Sequence, residues 1–287
     1  MNAAASGGSG SGARPRARGY ASRSMRTAIR TLVAACLLLP PAEGLAASAL
    51  RLPVPGHFGA VPAETFDGEG DRVGGATLEI RRLDDGHVLM SVETGIEGAE
   101  RSRAEAELRP APEGGALELV RQRSRSVDAS QNPLGVLEID HLAKRGSCTP
   151  AGDGEPQVIE LPDPDRVANV PLNLLFLPLV RGEKKTVDFQ ILLCRGGPRL
   201  VDATAEVASV ATAPGQPGHR MVEVRYKLDF GPFLSRLAAP FMPRLSFWFD
   251  RDAAGEWLAH TQPLFAKGPT VLVVRSGIPL PPLEGGL

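Results

Sequence analysis

The sequence predicts a mainly β fold: a curved antiparallel sheet forming a half-barrel or incomplete barrel, with one or two short helices. Three observations carry this. Apolar residues recur with period 2 in about a dozen runs spaced roughly 8–14 residues apart. Turn signals join neighbouring runs, which makes the sheet antiparallel. No run keeps the 3.6-residue period of a long amphipathic helix. That many antiparallel strands must curl or close, because long open edges aggregate.

Residues 1–24 are Gly, Ser, Ala and Arg with almost no apolar content, and cannot pack. From Met25 the pattern changes. Arg26 and Arg30 supply a positive start, Thr31 to Leu39 a short apolar run, Pro40-Pro41 a stop, and Gly44 to Ala49 a run dominated by small residues. This is the layout of a secretory signal peptide over 25–47, with cleavage after Ala46, Ala47 or Ala49. The run is far shorter than the about 20 residues that span a bilayer. Val33-Ala34-Ala35-Cys36 resembles a lipobox, but the apolar run continues past Cys36, which favours a cysteine inside a cleaved segment. Residues 48–287 then form one β-rich domain, expected to be periplasmic or secreted.

Within that domain, Arg51 to Pro62 reads as an extended lead-in and Glu64 to Asp67 as the start of a strand. Residues 76–94 read as a hairpin turned by Asp84-Asp85-Gly86. Glu100 to Arg109 places Ala104, Ala106 and Leu108 on one face. Leu117 and Leu119 open a strand that runs into Arg121, Arg123 and Arg125. Leu137, Ile139 and His141 share a face on the next. Gly146 to Pro156 reads as a loop carrying Cys148, and Val158 to Leu161 as a short strand. Asn169 to Val180 is continuously apolar without period 2. Pro171 suits a first helical turn and Asn169 a cap, so a short buried helix or apolar loop is expected. Strands follow at Lys184 to Cys194 and Pro198 to Val210.

The clearest strand is Val222, Val224, Tyr226, Leu228 and Phe230, alternating with Glu223, Arg225, Lys227 and Asp229. After Gly231-Pro232 come a short apolar segment, then Leu245 to Phe249, then Trp257-Leu258. Nine of the 14 aromatic residues lie between Tyr226 and Phe265, so the bulkiest core material sits near one end of the chain. Thr270 to Arg275 is the last strand. The segment near 170–180 or that near 231–241 is expected to plug or lid the barrel.

Charge excludes one class of partner. Residues 1–47 hold six of the 32 basic and one of the 33 acidic residues. The remainder carries a net charge of −6, which offers no electrostatic case for nucleic acid. His57, His87, His141, His219 and His260 are isolated, and no zinc-ligand spacing occurs, so no metal site is expected. Asp67, Glu69 and Asp71 lack the downstream spacing of a calcium loop. Gly68, Gly70 and Gly74 miss the dinucleotide fingerprint by one residue, and no cofactor is expected. Asp140 and His141 are adjacent on a strand and point to opposite faces, so they form no dyad. With no nucleophile–base pair, the expectation is a non-enzymatic protein. Arg121, Arg123 and Arg125 share a face that either binds an anionic headgroup or is simply solvated, the second reading being preferred. Cys148 and Cys194 either pair, as secreted cysteines do, or remain separate thiols.

The strand-rich layout, the Asn169–Val180 segment followed by a Val/Phe strand, and the closing Glu256-Trp257-Leu258, Pro263-Leu264 and Val271 to Arg275 resemble the secreted bacterial family DUF3108. That family is similar in fold to the periplasmic lipoprotein carriers LolA and LolB. The resemblance covers roughly residues 60–275; the Arg121 to Arg125 strand and the cysteine pair fall outside it. It implies an outer-membrane or periplasmic role, a concave apolar face and no catalytic residues.

The apolar stretches carry the functional expectation. Leu174, Phe176, Leu177, Phe233, Leu234, Leu237, Phe241, Met242, Phe247, Phe249 and Trp257 could line a cavity for an acyl chain or another hydrophobic small molecule. They could instead fill the interior as ordinary core, and that reading is preferred, since packed side chains would cover the inner face of a half-barrel. The alternative is a structural or assembly protein of the cell envelope whose apolar face meets a protein partner.

Overall fold

The computed structural model describes residues 49–281 except 153, 214, 216–217, 232–244, 254 and 265–267. The signal segment with Cys36, and the candidate residues Phe233, Leu234, Leu237, Phe241 and Met242, lie outside the described residues. The chain divides between Ala46 and Ala47, and every described strand belongs to the second unit.

That unit is mainly β. Its strands are β1 (Arg51–Pro53), β2 (Gly59–Phe66), β3 (Arg72–Arg82), β4 (Val88–Gly95), β5 (Arg101–Pro110), β6 (Ala116–Val127), β7 (Pro133–Asp140), β8 (Arg145–Pro150), β9 (Gln157–Glu160), β10 (Thr186–Leu193), β11 (Arg199–Thr212), β12 (Arg220–Asp229), β13 (Leu245–Asp250), β14 (Glu256–Pro263) and β15 (Thr270–Arg275). Between β9 and β10 come a 3-10 turn (Pro164–Arg166) and two short helices, α1 (Leu172–Leu175) and α2 (Leu177–Val180). The strands form one curved antiparallel sheet that does not close. It runs from β10 through β15, continues from β2, and ends at β9, while β1 pairs with β6 off the main path.

Local sequence explains most of this. In the β3–β4 hairpin the Asp85 carboxylate accepts from the His87 N–H, and Gly86 takes φ +84°. The alternation in β12 buries Val222, Val224 and Tyr226 on the concave side. β8 corrects the expected loop at Gly146 to Pro156. Its Gly, Ser, Thr and Pro carry no apolar alternation, yet residues 145–150 form a full ladder with β7.

The concave face is filled by the β9–β10 connection. Leu172, Leu174, Leu175, Phe176, Leu177, Leu179 and Val180 join inward residues of most strands in one core. Phe176, between the helices, packs its ring 5.7 Å from Phe189, 5.9 Å from Tyr226 and 5.3 Å from Phe247. A second cluster occupies the other face of β12 to β15, with Met221, Trp248, Leu258, Leu272 and Val274. Every residue of β13 is therefore buried.

The two ends of the sheet meet without a ladder. Leu192 of β10 turns away from the main core and packs with Ile139, Cys148, Leu161 and Val167. Gly146 makes that approach fit, since a Cβ there would lie 2.7 Å from Leu192 Cδ2. Cys148 in β8 is disulfide-bonded to Cys194, just past β10, with Cα atoms 5.5 Å apart.

Side chains complete the seam. Asn169 was expected to cap a helix; α1 instead has Pro171 before it and no side-chain cap. The Asn169 amide donates to Leu192 O at 2.9 Å and accepts from Leu192 N at 3.0 Å, imitating a strand residue. On the other side, Gln122 Oε1 accepts from the N–H groups of Asn169 and Val170, at 2.6 and 2.9 Å. Gln122 Nε2 reaches Val167 O at 3.2 Å and His141 Nε2 at 2.8 Å, and His141 Nδ1 reaches Pro164 O at 2.9 Å. One assignment satisfies all of these: neutral His141 donates from Nδ1 and accepts at Nε2. Burial pushes the His141 pKa down, which favours that form.

Candidate functional site

The β2–β3 hairpin turns Val61, Leu78 and Ile80 toward the concave side. The connection brings Asn173 and Leu174 from α1 and Leu177 from α2 against them. β13 and β14 add Phe249 and Trp257, which face each other across the ladder next to a bulge. Together with Pro55, Gly56 and His57 from the loop before β2, these residues surround an open recess of about 100 Å³.

Its back wall depends on Gly255. That residue sits at φ +80° in the β13–β14 turn, and a Cβ there would lie 2.8 Å from Leu177 Cδ2. Only glycine adopts such a backbone cheaply, so the turn can lie directly on α2. The rim is polar: Glu256 and Arg275 form an ion pair, and His57 is exposed beside them. Asn173 is the buried polar member of the wall, 7% exposed.

Next to the recess, His260 stacks on Phe247 with ring centroids 5.0 Å apart and lies 5.4 Å from Trp257. Burial lowers its pKa to about 4. Both buried histidines, His260 and His141, are thus held neutral. Their unfolded pKa is about 6.5, so between pH 6.5 and 4 the unfolded chain binds more protons than the folded one. Stability is therefore expected to fall as pH drops through that window, by about 3 kcal/mol from His260 alone. Urea titrations at pH 7.0 and 4.5 check this, and the loss should shrink in His260→Phe.

Of the residues expected to line a cavity, Leu174, Leu177, Phe249 and Trp257 do so. Phe176 and Phe247 lie in the packed aromatic core behind them. Sequence reasoning missed Pro55 to His57, Val61, Asn173, Glu256 and Arg275, which lie up to 220 positions apart and carry no common motif. The arginines of β6 lie on the solvated face: Arg121 and Arg123 pair with Asp140 and Glu138 of β7. Asp67 closes its own turn, accepting from Glu69 N and Asp71 N. No group of three potential metal ligands occurs among the described residues. No helix among them is long and apolar enough to cross a membrane.

No family model and no curated protein matches the sequence. Among solved structures, the chain is similar to a β-barrel-like protein of domain of unknown function DUF1849 from Brucella abortus. The two are 8% identical with a TM-score of 0.43, over 79% of this chain and 97% of that one.

Proposed function

We propose that this is an exported, non-enzymatic β half-barrel that holds the end of a hydrophobic ligand in the recess between α1, α2 and the β2–β3 and β13–β14 hairpins. One observation carries the reading: a concave wall of Val61, Leu78, Ile80, Leu174, Leu177, Phe249 and Trp257 under a polar rim, the usual composition of a small-molecule site. The Cys148–Cys194 bridge supports export, because disulfides persist in oxidising compartments. The likeness of the sequence pattern to DUF3108 and the LolA and LolB carriers points the same way. Volume limits what enters. An apolar cavity of about 150 Å³ holds one benzene, so a recess of about 100 Å³ closes around roughly four carbons. The rest of a longer chain would lie outside.

Trp257 lines the recess and Trp248 lies on the opposite face of the sheet, so Trp248→Phe isolates the useful signal. Titrating 1-chlorohexane into that variant is expected to shift Trp257 emission saturably. Val61→Phe, which fills the recess without adding a second fluorophore of this kind, should abolish the shift. An unsaturable response, the same in both proteins, overturns the reading.

A role through a protein partner has one specific observation in its favour. Residues 207–212 of β11 run past the end of β10 and, among the described residues, pair only with β12. They carry no charge, and Val207 and Val210 are 38% and 49% exposed. Such an edge accepts an added strand. Under this reading Val210→Lys would remove a co-purifying envelope protein while leaving the Trp257 titration unchanged.

A further inference from the structure

Asn173 gives the recess a chemistry that its apolar wall does not. It stands in α1 between Leu172 and Leu174, is 7% exposed, and lines the recess. Its Oδ1 is buried without a hydrogen-bond partner. Among the described residues, Gln190 Oε1, Arg225 Nε and His260 Nδ1 share that state, but none of those residues lines the recess. An unpaired buried acceptor costs stability, and native proteins keep few of them. Leucine would serve the packing here without that cost, so the amide needs a reason of its own.

We propose that the ligand presents a neutral hydrogen-bonding head, a hydroxyl or an amide, to Asn173. It is then an uncharged amphiphile rather than a plain hydrocarbon or a free fatty acid. This deepens, and rests on, the reading of the recess as a hydrophobic-ligand site. A hydroxyl both donates and accepts, so it pairs with either end of the Asn173 amide. A plain chain leaves Oδ1 unpaired. An ionised carboxylate only accepts, so it has no proton to offer Oδ1. The rim does not compensate, because Arg275 is already paired with Glu256.

The test uses the full chain at pH 8 with 1-hexanol, 1-chlorohexane and hexanoate, binding being read by thermal shift. The affinity ratio of hexanol to chlorohexane is expected to fall at least 10-fold from the wild type to Asn173→Leu. Asn173→Ala, which adds no bulk, should give the same fall and serves if the leucine variant does not fold. Hexanoate should not stabilise the wild type at concentrations where hexanol saturates. An unchanged ratio in both variants, or hexanoate binding more tightly than hexanol, overturns the proposal. If none of the three binds the wild type, the reading of the recess falls and this proposal with it. If chlorohexane binds while the ratio stays constant, only the role of Asn173 falls.

Discussion

Replacing both Cys148 and Cys194 with serine is expected to lower the unfolding free energy by about 4 kcal/mol. The bridge spans 46 positions, and closing a loop of that length removes about 4 kcal/mol of chain entropy from the unfolded state. The location adds a second consequence. Elsewhere neighbouring strands are held by ladders, but among the described residues β8 and β10 share none: the bridge and a small apolar cluster join them, and the segment before α1 bonds to β10 through Ala168 N to Gln190 O and the Asn169 amide to Leu192. Hydrogen exchange in the serine variant should therefore speed up first in β8, β9 and β10. Urea midpoints with and without reductant measure the energetic part. Reductant should destabilise the wild type and leave the serine variant unaffected; equal midpoints for the two proteins would contradict the assignment.

Phe176→Ala is expected to cost about 3–5 kcal/mol, the range for emptying a large aromatic from a packed core. For a domain of this size that lowers Tm by roughly 10 °C. The ring is fully buried and touches three other aromatics from β10, β12 and β13. It also lies at the junction of α1 and α2, so its loss loosens the whole connection from the concave face. The hole would be apolar and benzene-sized, and benzene should restore part of the lost Tm in this variant. A loss below about 1 kcal/mol would mean that the connection is not held by its core contacts.

The strands were legible because their signal is local. Val222, Val224 and Tyr226 point inward for the same reason that Glu223 and Arg225 do not: successive side chains of a strand leave opposite faces. The Asp84-Asp85-Gly86 turn needs only its own residues. β8 was not legible, because its pairing is supplied by β7 and by the bridge to Cys194 rather than by its own composition. Asn169 misled for a related reason. An asparagine before an apolar run is a reasonable helix cap, but here its amide is taken by the backbone of Leu192, a residue 23 positions away.

The candidate site was half legible. Leu174, Leu177, Phe249 and Trp257 could be chosen as bulky apolar residues, and so could Phe176 and Phe247. Nothing local separates a side chain that lines a recess from one that fills the core behind it. The sequence by itself determined the strand content, the inward faces and the apolar connection. Tertiary structure alone decided the non-ladder seam, the burial of both faces of β13, and the recess walled by Asn173 and Gly255. Period and turn chemistry act over a few residues, whereas whether a volume is filled depends on side chains from six or more separate segments meeting at one point.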